Sequence, residues 1–172
     1  MDATLRRNTI YEIINLSNAP VSASSLAKRL NVSRQVIVGD IALLRAQGRE
    51  VIATARGYII PEFMGSNQYI GKIACSHSPE NTKDELYIIV NIKAIVLNVI
   101  VEHELYGEIT GQLNLKNKGD VDVFLHKVKL TEIKLLSELT MGVHLHTIAC
   151  HDKDHFEHVC QALNKAGYLY RD

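Results

Sequence analysis

Hydrophobic positions in the first 60 residues recur at helical spacing; further along they alternate between strand and helix periods. Leu5, Ile10, Ile13 and Ile14 predict a helix over about Thr4 to Leu16, and Ser17-Asn18-Ala19-Pro20 breaks it. A second helix starts at Ser22 or Ser24, whose hydroxyl is a suitable N-cap, and runs through Leu26-Ala27-Lys28-Arg29-Leu30. After the turn Asn31-Val32, Ser33 caps a third helix. Ile37, Ile41 and Leu44 give it one buried stripe, and Gln47-Gly48 ends it. Two short strands, near Val51–Thr54 and Tyr58–Ile60, turn through Ala55-Arg56-Gly57 and form a wing.

Pro61 to Asn67 reads as a linker. Beyond it the pattern predicts strands at Tyr69–Ser76, Val96–Val101, Tyr106–Leu115 and Val143–Ala149, and helices at Thr82–Val90, Asp120–Lys129 and His155–Ala166. Tyr168-Leu169-Tyr170 is a possible last edge strand. Thr82 with Glu85 has the spacing of a capping box. Val121, Phe124, Leu125 and Val128 are expected to face inward. The fold class is α+β: a winged helix-turn-helix over residues 1–61, then an α/β sandwich over residues 67–172, with a mostly antiparallel sheet and helices on one face.

Charge adds an asymmetry that the net charge of zero hides. Residues 1–60 hold eight Lys/Arg against four Asp/Glu, while the rest of the chain holds eleven basic and fifteen acidic residues. Seven of the eight arginines lie in the first part. Arginine's planar fork suits phosphate, so the N-terminal part is expected to bind double-stranded DNA. The three cysteines (Cys75, Cys150, Cys160) show no CxxC spacing, which argues against a disulfide framework and a zinc ribbon. No apolar run is long enough for a membrane span, and the polar start lacks a secretory h-region, so a cytoplasmic protein without membrane contact is expected.

In the third helix Arg34, Gln35, Val38 and Arg45 lie away from the apolar stripe. Arg34 suits guanine or phosphate, Gln35 suits adenine, and Ser33 at the helix N-terminus suits a phosphate. Arg56 in the wing is placed for the backbone or the minor groove. Gly39 is unusual in such a helix. In the second part, His144 and His146 stand two residues apart on a strand and project from one face. His77 closes the first strand and Glu85 opens the next helix. Three imidazoles and a carboxylate suit zinc, nickel or iron with positions open to a ligand. His103 is positioned to line the same pocket. Cys75 shares a strand face with His77, as a ligand or, by the preferred reading, a packing residue. His151, His155 and His158 read as a solvated helix face.

These residues carry a resemblance. Ser33-Arg34-Gln35-Val36-Ile37-Val38, Asp40-Ile41-Ala42-Leu43-Leu44-Arg45 and Ala53-Thr54-Ala55-Arg56-Gly57-Tyr58 resemble the winged helix of the niacin-responsive repressors. His77, Val101-Glu102-His103, Leu105-Tyr106-Gly107-Glu108 and Gly142-Val143-His144-Leu145-His146-Thr147 resemble their 3H domain. The resemblance spans essentially the whole chain. It implies a homodimeric repressor of NAD biosynthesis and niacin-uptake genes, with nicotinic acid as co-repressor. It also implies a metal set similar to His77, Glu85, His144 and His146, with His103 and Tyr106 as ligand-binding residues. Gly39, and Glu104 where proline is common, depart from the pattern.

Two other functions compete. A metal-dependent hydrolase would use the same donors with Glu102 or Glu104 as base, but no HExxH motif or nucleophile elbow is present. A direct metal sensor would need no organic effector.

Overall fold

The computed structural model describes residues 2–61 and 68–171, and the chain divides into two compact units, Met1–Phe63 and Met64–Asp172. Most of the expected linker lies outside the described residues.

The first unit holds α1 (Ala3–Asn15), α2 (Ala23–Leu30), α3 (Arg34–Ala46) and a hairpin of β1 (Ile52–Thr54) with β2 (Gly57–Ile59). Each helix starts where a short polar side chain takes up a free backbone N–H: Asp2 accepts from Thr4 and Leu5, Ser22 from Ser25, and Ser33 from Val36. Asn31 ends α2 in the left-handed conformation, so the chain turns at once into α3. Ile10 and Ile14, Leu26, and Ile37, Ile41 and Leu44 close one core among the three helices. Leu5, one of the apolar positions that predicted the first helix, is exposed. Val21 bridges to Tyr58, tying the α1–α2 connection to the wing.

The second unit holds β3 (Tyr69–Ser76), α4 (Thr82–Asn91), β4 (Ile95–His103), β5 (Gly107–Leu115), α5 (Lys118–Thr131), β6 (Val143–Cys150) and α6 (Lys153–Lys165). Its four strands run β3-β6-β4-β5 and every neighbouring pair is antiparallel. The last strand in sequence is thus an interior strand of the sheet. Along β6 the even positions face the helices. Ile148 and Cys150, with Ile73 and Cys75 of β3, share a core with Leu86 and Ile89 of α4, Val121 of α5, and Val159 and Leu163 of α6. Phe156 of α6 lies against Gly71 so closely that a Cβ there would stand 2.2 Å from the ring.

Several expectations change. A 3-10 turn, Pro79–Asn81, leads into α4, so Thr82 is the first helical residue and not its cap. Its hydroxyl is buried without a partner, and Glu85 turns to the sheet instead of back to the cap. In α5 only Val121 is fully buried; Phe124 and Leu125 pack at the margin of the core. A second 3-10 turn, Leu136–Thr140, occupies a stretch left unassigned by pattern. The final edge strand reduces to one bridge, Leu169 to Cys75.

Candidate metal centre and DNA-reading helix

Alternation in β6 puts His144 and His146 on the helix-covered face, as their spacing predicts. Across the strand pair, His144 stands opposite Cys75 and His146 opposite Ile73. His77 follows β3, and Glu85 reaches down from α4. The four side chains meet. Glu85 Oε2 lies 2.6 Å from His77 Nε2, and Oε1 lies 2.9 Å from His144 Nε2 and 3.4 Å from His146 Nε2. The rings sit edge to face, with centroids 4.9 Å apart for His77 and His144 and 4.8 Å for His144 and His146.

The other ring nitrogen of each histidine is fixed by a backbone carbonyl. Nδ1 is 2.8 Å from Ser78 O in His77, 2.8 Å from Gly142 O in His144, and 2.7 Å from Asn98 O in His146. A carbonyl only accepts, so each Nδ1 carries its proton and donates it. Each Nε2 is thereby left to face Glu85, either as a donor or as a lone pair. This is the outer-shell arrangement that orients histidine ligands.

Sequence reasoning missed the anchors. Asn98 sits at a bulge in β4, where the ladder to β5 and β6 slips between Val96 and Asn98. Its carbonyl takes up His146, and its side chain accepts from Thr147 N–H. Tyr168 packs its ring on His77 at 5.3 Å and donates its hydroxyl to Asp84 at 2.6 Å.

Glu85 is 1% exposed. Burying a lone carboxylate costs on the order of several kcal/mol. Burial pushes its pKa up, but the charge of His146, 3.4 Å away, and the hydrogen bonds of His144 and His77 outweigh it and hold Glu85 well below 4.5. Burial pulls His77 and His146 down, yet the carboxylate opposite carries both above 6.5. Burial first, and Glu85 second, push the Cys75 thiol up.

These shifts set a pH dependence for chelator-treated protein. A depressed Glu85 adds stability above pH 4.5 that is lost as pH falls through its folded value. Raised histidines add stability below pH 6.5 that is lost as pH rises through theirs. The melting temperature of the metal-free protein is therefore expected to peak between pH 4.5 and 6.5 and to decline above that window. A melting temperature that climbs steadily through neutral pH would contradict this.

The donor set fits a divalent transition metal. His146 Nε2 is buried and has no hydrogen-bond partner, and so is a donor atom left over by the protein itself. His77, Glu85, His144 and His146 would hold the ion, which would supply Lewis acidity to an incoming ligand.

His103 and Tyr106 behave differently. His103 ends β4, its Nδ1 accepts from the N–H groups of Leu105 and Tyr106, and its ring stacks on Tyr106 at 5.2 Å. Their hydrogen bonds and ring contacts stay within this hairpin, and Tyr106 is largely exposed. His151, just before α6, and His158 on α6 are exposed, whereas His155 is half-buried and donates to Ile92 O at 2.6 Å.

In α3, Arg34, Gln35, Ala42 and Arg45 are exposed and Val38 is half-buried. At about 100° per residue they fall, with Gly39, in an arc of roughly 140° beside the buried stripe, with Arg34 at the edge next to Ile41 and Gly39 at the other edge. A Cβ on Gly39 would meet nothing within 4 Å, so packing in this chain does not require glycine there. Asp40, on the inner side, is 4% exposed and receives Arg6 through two nitrogens at 2.6 and 3.2 Å. Arg6 thus braces α3 through its inner side. Ser33 is exposed and caps α3, and Arg56 is half-buried in the wing turn, its N–H on Thr54 Oγ1.

Residues 70–172 match the 3H domain family, and residues 6–59 match an HTH domain family. The chain is 39% identical over 169 residues to the transcription repressor NadR of Bacillus subtilis (strain 168), covering 97% of this chain and 94% of that protein. It is 38% identical over 167 residues to the probable transcription repressor NiaR of Thermotoga maritima, with the same coverage of each chain. The chain belongs to the family of 3H-domain transcription repressors. The helix-turn-helix unit, which contains α3, is the DNA-binding element of such a repressor. Both relatives are named as regulators, so the hydrolase reading has no support from them. Among the described residues of this 3H-domain repressor no helix is long and apolar enough to cross a membrane.

Proposed function

We propose that this repressor holds one divalent transition-metal ion (zinc, nickel or iron) on His77, Glu85, His144 and His146, and takes nicotinic acid there as co-repressor. It acts as a homodimer on operators of NAD biosynthesis and niacin-uptake genes. The observation that carries the metal part is the convergence of three Nδ1-anchored imidazoles on one buried carboxylate. Nicotinate, suggested by the resemblance of the 3H motifs, offers a carboxylate and a pyridine nitrogen, either of which can ligate such an ion.

Arg34, Gln35, Val38 and Arg45 read the groove, with Ser33 and Arg56 on the backbone. Two copies present two recognition helices to half-sites about one helical turn or a multiple apart. If nicotinate favours the DNA-competent form, operator binding tightens by the same factor as nicotinate binding, typically about 5- to 150-fold. The test is a gel shift of full-length protein on niacin-uptake promoter DNA, with metal and nicotinate added separately and together. Tightening only when both are present is expected. Tightening by metal alone would make the protein a direct metal sensor, and no change with either would overturn the proposal.

A further inference from the structure

Cys75 is the remaining side chain at the centre that can ligate a metal. It is fully buried, lies near the end of β3 two residues before His77, and stands directly across from His144. The donor atoms of Cys75, Glu85 and His144 all lie within 4.8 Å of one another. Two donors on one ion, at about 2.0 to 2.3 Å each, stand at most roughly 4.6 Å apart. The separations among these three donors are therefore at most a few tenths of an ångström beyond what one ion allows. A second observation points to an ion at the same centre: His146 Nε2, buried and without a hydrogen-bond partner, stands 3.4 Å from the same Glu85 oxygen that faces His144.

We propose that Cys75 is a fifth protein donor to this centre, its Sγ binding the same ion as the three imidazoles and Glu85. The inference rests on the metal reading given above. Coordination breaks the S–H bond, the sulfur keeps the electron pair, and the proton leaves to solvent. A thiolate among imidazoles favours borderline ions such as zinc, nickel, cobalt and iron(II) over magnesium, calcium and manganese, which prefer oxygen. Without it, three imidazoles and one carboxylate would discriminate less against manganese. Cys75 then sets which ion the repressor answers to.

The probe is cobalt(II), titrated into metal-free full-length protein. The expected result is a near-ultraviolet sulfur-to-cobalt charge-transfer band that saturates at one equivalent. It should persist in the Cys150→Ser/Cys160→Ser double variant and vanish in Cys75→Ser, which still binds one cobalt through the remaining donors. Selectivity for cobalt over manganese should fall by about tenfold or more in Cys75→Ser. Should Cys75→Ser fail to fold, the spectrum of the double variant, with Cys75 as its sole cysteine, still decides. One bound cobalt without the band, or a band that survives Cys75→Ser, would overturn this inference and leave the metal reading standing. No cobalt binding at all would overturn both.

Discussion

Alanine at His144 is expected to weaken divalent-metal binding by at least about 100-fold and to abolish the response of operator binding to nicotinate. Loss of an outer-shell partner alone costs about 10- to 100-fold in metal affinity, and His144 is proposed as a direct donor. Its Nε2 faces Glu85 at 2.9 Å and its Nδ1 is anchored on Gly142 O. The substitution also removes one of the groups that make the buried carboxylate tolerable, so metal-free protein should lose roughly 1–3 kcal/mol as well. Competition against a chromophoric chelator measures the affinity, and urea unfolding with chelator present measures the stability. His158→Ala, on the exposed side of α6, is the control and should change neither. A variant that binds no metal yet keeps a full nicotinate response would remove the metal from the mechanism while leaving the DNA-binding role in place.

Much of this site was legible because β-strand geometry has a period of two. Two histidines at that spacing within an apolar strand had to share a face, and the strand after the linker ended at the expected residue, Ser76. The exposed side of α3 was legible for the matching reason: a buried helical stripe of Ile37, Ile41 and Leu44 leaves Arg34, Gln35 and Arg45 at the surface. Long-range choices were not legible. Nothing local says that the final strand inserts between the first strand of its domain and the second, which is what sets Cys75 beside His144 and Asn98 beside His146. Thr82 and Glu85 matched a local capping pattern, but the tertiary demand for a carboxylate under three imidazoles claimed Glu85. Cys75, read as a packing residue from the general behaviour of buried thiols, does lie in the core, and only the strand order shows that it also stands across from His144.

Gly142 shows how tightly the backbone around the centre is determined, and alanine there is expected to destabilise the metal-free protein by roughly 2–4 kcal/mol. Two costs combine. Its φ of +99° is one that residues with a Cβ rarely adopt, and a Cβ would stand 2.4 Å from the carbonyl oxygen of His77. That neighbour is backbone, so a rotamer change cannot relieve the clash; the peptide after His77 has to move. The same residue's carbonyl fixes His144 Nδ1, so any adjustment tilts two ligands at once and should lower metal affinity by about tenfold or more. Gly167→Ala separates the two costs, because Gly167 also has a positive φ (+81°) but a Cβ there meets nothing within 4 Å. It should show only the conformational part, about 1–2 kcal/mol, with metal affinity unchanged. If the two variants lose equal stability and both bind metal normally, the contact between Gly142 and His77 does not hold the centre together, and the imidazole positions must be set by the sheet alone.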